Sequence, residues 1–445
     1  EMTFGGVLPA LPDVAFENVD GYTDAQLRTY INDAYDASGN YHYTTDTRET
    51  YWEGKNLNRR AQLAQLAHQQ GMTVERDSFL TYIKLTLEDW FDGQVPHLFY
   101  MDNNWNVLQG YPSGFGADSQ INDHNFHWGY FVMTAATVAQ FDPAWAKNYE
   151  GSVELLIRDA ANWERSDTRF PYLRQFDGYA GHSWAAGHQG FAAGNNQESS
   201  SEAMNFAAGM IQWASAVGND AMRDAGIYIY TTEQKAIEQY WFDVDEEVFP
   251  SQYPFETAGI VWGYGVAYAT WWTANPEEIH GINFLPLTGG ALYLGHRPDY
   301  VTRNLASMYA APGAEGHWHD LIWEYEALAD PSAALARWAA EPNYVADGAQ
   351  EAGESTAHTY QWLHTFNTVG QVDPTVTANI ATYAVFKDPD TGRRTCAAYN
   401  PTGDPIVVVF SNGATLALNG HTLGSTPVGA CAGFTNHIFV PIVNR

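Results

Sequence analysis

The residues best suited to chemistry gather in two stretches. The first reads Gly181-His182-Ser183-Trp184-Ala185-Ala186-Gly187, resumes as Gly194-Asn195-Asn196-Gln197-Glu198-Ser199-Ser200-Ser201-Glu202-Ala203-Met204-Asn205, and then enters an apolar run of helical period. Asn195 or Asn196 is placed to cap that helix, so Glu198 falls in its first turn and Glu202 one turn later on the same face. On an exposed face such a like-charge pair costs only about 0.2–0.5 kcal/mol. The surrounding serines, asparagines and Trp184 suggest instead an acid pair facing a groove. The helix N-terminus favours an ionised Glu198, which can then serve as a general base. Repulsion within the pair leaves the shared proton on Glu202. The plainer alternative is one capping glutamate and one solvated glutamate.

The second stretch is Asn122-Asp123-His124-Asn125-Phe126-His127-Trp128-Gly129-Tyr130-Phe131. Asp123 and His127 share a helical face and could form an acid with its neighbour. Equally, Asp123 could be an ordinary N-cap and His127 a core histidine with a satisfied hydrogen bond. Two histidines beside an aspartate raise metal binding, but no His-Glu-x-x-His or comparable ligand spacing occurs. No metal or cofactor is expected. No esterase elbow, phosphate-binding loop or dinucleotide fingerprint is present either.

Aromatic residues suited to the apolar faces of sugar rings surround these stretches: Tyr51, Trp52, Trp105, Trp128, Trp184, Trp262, Trp318, Trp323, Tyr360 and Trp362. About half are expected to be packing alone, since aromatics are also common core residues.

Helical periodicity positions these groups. Expected helices are Thr23–Tyr35, Leu57–Gln70, Phe79–Phe91, His124–Gln140, Pro143–Trp163, Gln197–Val217, Ala221–Phe242, Gly265–Trp272, Tyr300–Ala311, Leu321–Leu328, Ser332–Ala340 and Thr356–Thr368. Many antiparallel helices in one unit suggest a mainly α fold, an α/α toroid whose rim loops form a long groove. From Thr382 onward the pattern changes to short β-type runs (TYAVFK, CAAYN, PIVVVF, ATLALNG and HIFVPIV) separated by turn signals. The reading is a helical domain over 1–380 and a small antiparallel β appendage over 381–445, stapled by Cys396–Cys431.

Composition narrows the partner. The 445 residues carry 21 basic and 52 acidic side chains, a net charge of −31, with 45% hydrophobic and 15% aromatic residues. A sizeable core is assured, and nucleic acid, anionic membrane and polyanionic sugars are disfavoured as partners. A neutral substrate fits better. No apolar run is long enough for a membrane span. The chain opens at Glu1 without a leader pattern, so any signal peptide is expected to be gone already. One cysteine pair in an acidic, lysine-poor chain suggests a secreted, extracellular protein with a single disulfide, the alternative being two unrelated buried thiols.

At the two acidic stretches the sequence closely resembles glycoside hydrolase family 81, the endo-β-1,3-glucanases or laminarinases. The matching segments are Asn122–Phe131, Phe176–Gly187 and Asn196–Asn205, with weaker matches at Tyr51–Lys55, Leu87–Phe91, His280–Leu287 and Gly353–Trp362, in the family's order over roughly residues 50–370. The resemblance implies an (α/α)6 barrel and an inverting mechanism, with Asp123 as general acid, Glu198 as general base and Glu202 close to that role. His127 would orient the acid or the sugar. Within the matching segments, Tyr51, Lys55, Trp128, Asp177, His182, Trp184, Asn196 and Tyr360 are expected to touch substrate. Two departures stand out. Family members typically carry a large N-terminal β-sandwich, for which this chain has no room, and Asn125 stands where histidine is more usual.

The expected protein is thus a monomeric endo-β-1,3-glucanase acting on laminarin- or curdlan-type glucan. Independently of the family, glycoside hydrolysis needs one protonated and one ionised carboxyl, roughly 6.5–9.5 Å apart for inversion. Rival readings are a polysaccharide lyase on the same toroid, disfavoured by five lysines and the acidic charge, and a non-catalytic β-glucan-binding protein. A terpene-cyclase toroid lacks its Asp-rich motif.

Overall fold

The computed structural model describes residues 2–14, 21–35, 49–188, 190–313, 316–341, 344 and 350–433. Among them, the helices are α1 (Asp24–Ala34), α2 (Thr50–Gln69), α3 (Thr73–Phe91), α4 (Ala117–Gln120), α5 (His124–Phe141), α6 (Pro143–Ala161) and α7 (Ser200–Val217). They continue as α8 (Asp220–Tyr240), α9 (Pro276–Gly281), α10 (Pro298–Ala310), α11 (His319–Ala327), α12 (Pro331–Ala340) and α13 (Thr356–Val369). The fold is helix-rich, with small antiparallel sheets at its margins.

Local chemistry sets several helix starts. Thr23, Asp142, Asn219, Asp330 and Ser355 each accept a backbone N–H of the first turn, and Pro143 and Pro331 follow their caps at the first helical position. Helices α2, α5, α7, α11 and α13 are buried almost all round, as expected of helices enclosed by others. Helix α5 lies between α2 and α7, α13 packs on α11 and α2, and α3, α6, α8 and α12 lie on the enclosed helices that precede them. Each enclosed helix that is followed by a covering helix returns in the same sense. The N-termini of α2, α5 and α7 therefore meet at one end, where Thr50 bonds His127 and Tyr130 bonds Glu202.

The closest approach is between α5 and α7. A Cβ on Gly129 would lie 3.1 Å from the Cα of Phe206, and one on Gly209 would lie 3.0 Å from the backbone nitrogen of Met133. Glycine at both positions lets the two backbones touch. That contact fixes the offset between the helices that carry Asp123 and Glu202.

Strands β1 (Leu98–Asp102) and β2 (Val107–Tyr111) form a hairpin, and β3 (Phe176–Asp177) pairs with β4 (His182–Ser183). Strands β5 (Asn196–Gln197), β6 (Ile260–Trp262) and β7 (Gly265–Ala267) form one antiparallel sheet, with Trp262 opposite both Asn196 and Gly265. The helix expected over Gly265–Trp272 is therefore absent. Backbone pairing to β6 holds its first part extended, and the remainder is irregular.

The C-terminal strands are β8 (Gln371–Val372), β9 (Tyr383–Lys387), β10 (Arg394–Tyr399), β11 (Ile406–Val409), β12 (Thr415–Leu418) and β13 (Leu423–Ser425). They form a sheet of order β13-β10-β9-β8 and a β11–β12 hairpin. Because β8 joins this sheet, a boundary at 380/381 falls between two of its strands. Ala384, Phe386 and Ala397 continue the main core, and Val7 donates its N–H to Ala381 O at 3.2 Å. A disulfide joins Cys396 to Cys431. The expected HIFVPIV strand lies outside the described residues. No helix among them is long and apolar enough to cross a membrane.

Candidate active site

Asp123 immediately precedes α5 with φ 59°, in the left-handed region that few side chains other than glycine, asparagine and aspartate occupy readily. Its N–H donates to Ala185 O at 2.8 Å, and its carbonyl accepts the His127 N–H at 2.9 Å. The position is that of an N-cap, yet the side chain makes no capping bond. Instead Oδ2 accepts from Asn122 Nδ2 at 2.8 Å. Burial pushes the Asp123 carboxyl well above its ordinary range, and the nearby Glu198 and Glu202 push it further. Both effects favour the protonated form of the carboxyl.

Glu198 was expected inside the first turn of α7, but the helix starts at Ser200. Pairing of Asn196 and Gln197 with β6 holds the preceding chain extended, so Glu198 sits on the connector and shares no helical face with Glu202. The serines between them sew the connector to the end of α9. Ser199 Oγ donates to Ile282 O at 3.1 Å, Ser200 Oγ to Asn283 Oδ1 at 2.8 Å, and Ser201 Oγ to the Ile282 and Leu285 carbonyls. Glu198 Oε1 accepts the Trp271 N–H at 2.8 Å. Burial raises its carboxyl to about 7, against the Trp271 bond that lowers it, with Glu202 adding repulsion. The fully charged Glu198 expected from the helix dipole is thus corrected to a carboxyl that titrates near neutrality.

Glu202 lies in the first turn of α7, 2% exposed. Tyr130 Oη donates to its Oε1 at 2.6 Å. Burial raises its carboxyl, while Lys55 and the hydroxyls of Ser199, Tyr130 and Tyr51 restrain the rise. Lys55 itself is ion-paired with the buried Glu351.

His127 is buried, with Nδ1 2.7 Å from Thr50 Oγ1 and its ring packed near Tyr51 and Phe115. Burial drives it down to about 3, so it is a neutral imidazole.

Other expected sugar contacts divide by exposure. Trp128 is fully buried and donates its indole N–H to Asp159 at 2.8 Å, so it is a core residue. His182 is 2% exposed, packed among Trp184, Tyr240 and Trp241. Tyr360 is 3% exposed and holds Gly21 O and Thr23 N against α13. All three are packed against neighbouring side chains in this structure, with little face left exposed. Asn196 is likewise buried, its Oδ1 accepting from the Trp271 indole at 3.4 Å. Asp177 accepts the indole N–H of the half-buried Trp184 at 3.1 Å and thereby fixes its orientation. Tyr51 is half-buried between Phe115 and Tyr130.

The best aromatic surface was named from the sequence only in part, through Trp262. Trp271 is 53% exposed and lies against Trp262 and Phe191, with ring centroids 5.6 and 5.5 Å away. Trp272 and Phe115 are also exposed. The adjacent tryptophans were a usable signal, but the assumed helix over Gly265–Trp272 concealed it.

Comparison with known proteins now decides the family. The model of the glycosyl hydrolase family 81 C-terminal domain matches residues 23–363. The chain belongs to glycosyl hydrolase family 81. It is 44% identical over 425 residues to a glucan endo-1,3-beta-D-glucosidase of Thermobifida fusca (strain YX), covering 94% of this chain and 54% of that protein. A glucan endo-1,3-beta-D-glucosidase of Acetivibrio thermocellus is 43% identical over 428 residues, covering 94% of this chain and 53% of that one. A solved structure of a glycoside hydrolase family 81 protein from Clostridium thermocellum superposes with a TM-score of 0.87 at 42% identity, covering 95% of this chain and 57% of the other. The chain spans about half the length of the curated relatives it matches.

Proposed function

We propose that this family 81 chain is the catalytic unit of an endo-β-1,3-glucanase that hydrolyses internal bonds of laminarin- or curdlan-type glucans with inversion. The observation carrying this reading is that Ala185 accepts the Asp123 N–H and donates its own N–H to Asn196 O, two residues before Glu198, so the two acids on separate elements come together beside the exposed Trp271. Among the described residues no direct hydrogen bond joins the two carboxyls, as befits a pair that must admit a water between them. Asp123, held protonated, delivers its proton to the glycosidic oxygen. Glu198, ionised above about pH 7, takes a proton from the water attacking the anomeric carbon from the opposite face. Glu202, saturated with hydroxyl donors, positions Tyr51 and Tyr130 and adds the repulsion that raises its neighbours. Trp271, Trp262, Phe191 and Phe115 offer apolar faces to successive sugar rings.

The same reading takes the helices as an (α/α)6 barrel. Its inner ring comprises α2, α5, α7, α9, α11 and α13, covered by α3, α6, α8, α10, α12 and α1. The α13–α2 contact closes the ring, and the α1–α13 contact pairs the first helix with the last. The catalytic helices then end with α13, and the β appendage begins with β8, before the expected boundary at 380/381. The protein acts outside the cell as a monomer on a neutral polymer, which the acidic surface does not repel.

The test is direct. Incubation with laminarin should release reducing ends, and NMR of fresh product should show the α-anomer first. Initial β-anomer overturns inversion. Absence of reducing ends despite binding to curdlan overturns catalysis.

A further inference from the structure

Away from the candidate active site, α11 and the start of α13 enclose a second set of ionisable groups. Glu324 of α11, Glu354 just before the Ser355 cap, and His358 in the first turn of α13 bring three ligand atoms within 4.8 Å of one another. Glu324 and Glu354 are 0% exposed and His358 is 7% exposed. His358 Nδ1 lies 2.8 Å from Glu354 Oε2 and 3.4 Å from Glu324 Oε1. Among the described residues, Glu324 Oε2 and Glu354 Oε1 meet no donor within strict hydrogen-bond geometry, while Glu324 Oε1 faces only the His358 ring. A buried carboxylate oxygen so placed is costly unless a cation compensates it.

The charges around the set sharpen the point. Asp320, Glu324, Glu351 and Glu354 are mutually interacting buried carboxyls. The cations facing them are Lys55, paired to Glu351, then Arg59, and His358 if protonated. Among the described residues these carboxyls outnumber the fixed cations facing them, Lys55 and Arg59, and a divalent ion held by Glu324, Glu354 and His358 would add to the compensation. Two carboxylate oxygens and one imidazole nitrogen are a donor set that zinc accepts at about 2.0–2.2 Å, which puts tetrahedral ligand atoms a little over 3 Å apart.

We propose that Glu324, Glu354 and His358 form a buried structural site for a divalent transition metal, zinc foremost, which clamps α11 to the N-terminus of α13. The clamp fixes the 350–355 segment, whose Glu351 accepts the Gly353 N–H at 2.7 Å and pairs with Lys55, the cation bearing on Glu202. It thus steadies the active site without touching substrate.

The full chain, produced without a histidine tag, should retain one equivalent of zinc by elemental analysis after equilibration with the metal and gel filtration. Its Tm should fall on dialysis against a chelator and recover on adding zinc. Cobalt(II) in place of zinc should give visible d–d bands. His358→Ala should lose both the retained metal and the bands. Glu324→Gln, a near-isostere that spares the fold if the alanine variant does not assemble, should lose most of the retained metal. The proposal is overturned by a zinc-equilibrated protein with no retained metal and an unshifted Tm, or by equal retention in both variants. An imidazolium NMR signature for His358 that persists with zinc present also overturns it.

Discussion

Two carboxylate clusters sit at the N-terminal ends of neighbouring enclosed helices, and they differ in access. At the first, Asp123 and Glu198 are only part-buried and face an exposed aromatic surface. At the second, Asp320, Glu324, Glu351 and Glu354 are sealed, with Arg59, Lys55 and His358 among them. Burial raises carboxyl groups in both. The sealed cluster has fixed cations set among its carboxyls. The open one lacks an adjacent paired cation at Asp123 or Glu198 among the described residues, so protons do the balancing. That is the condition for acid–base work. Lys55 lies between the clusters, ion-paired to Glu351 while lowering Glu202.

The comparison is broken most directly at the open cluster. Asp123→Asn and Glu198→Gln should each reduce kcat on laminarin by about 10²–10⁴-fold while leaving curdlan binding and Tm near normal, the range expected for losing a general acid or base. Near-normal turnover in either variant removes that residue from the mechanism. In the parent enzyme, kcat/KM should fall about tenfold per pH unit below about 7, because Glu198 must be ionised to act as base.

At the bridge between the clusters, Lys55→Met leaves Glu351 buried without its partner. A loss of roughly 3–5 kcal/mol in urea unfolding is expected. Unchanged stability would mean that the Lys55–Glu351 pair is not what neutralises this region.

Glu233 of α8 shows what a sealed carboxyl without a cation does. It is fully buried, and its two oxygens accept the Ser183 N–H and hydroxyl, each at 2.9 Å. Burial raises it to about 7, against those two bonds. The folded state therefore holds this proton more tightly than the unfolded state. The stabilisation is complete below the ordinary glutamate range, declines as pH rises through about 7 and is then gone, a swing of about 3 kcal/mol. Glu233→Gln should gain stability relative to the parent as pH rises from 4.5 to 8, read from paired denaturant curves. A pH-independent difference would show that Glu233 is not protonated in the fold.

The smallest effect sharpens the roles inside the open cluster. Glu202→Gln removes a repulsion that raises Glu198, so the acidic limb of any remaining kcat/KM profile should move to lower pH. Movement to higher pH would show that Glu202 does not act on the base electrostatically.

Much of this was legible in residue order. The periodic apolar runs located nearly every long helix, because a helix buried on several sides must be apolar on those sides. The odd composition around Asp123, Glu198 and Glu202 marked the candidate site before any geometry was known. What misled was local inference at the margins. Glu198 was read into a helix because the run after it is helical, yet pairing of its predecessors with β6, some 60 residues later in the chain, holds it out. Trp128, His182 and Tyr360 share their motifs with site residues, but neighbours on a helix or strand point in different directions. Only packing decides which side faces the groove.

The sequence alone determined the helical class, the acidic and aromatic character of the site, and the pairing chemistry open to two lone cysteines, since these follow from side-chain type and period. Tertiary structure alone decided which acids share a compartment, which are sealed, and which backbone donors and cations reach them. Those properties depend on solvent access and on charges brought together from distant parts of the chain, and neither is written in local spacing.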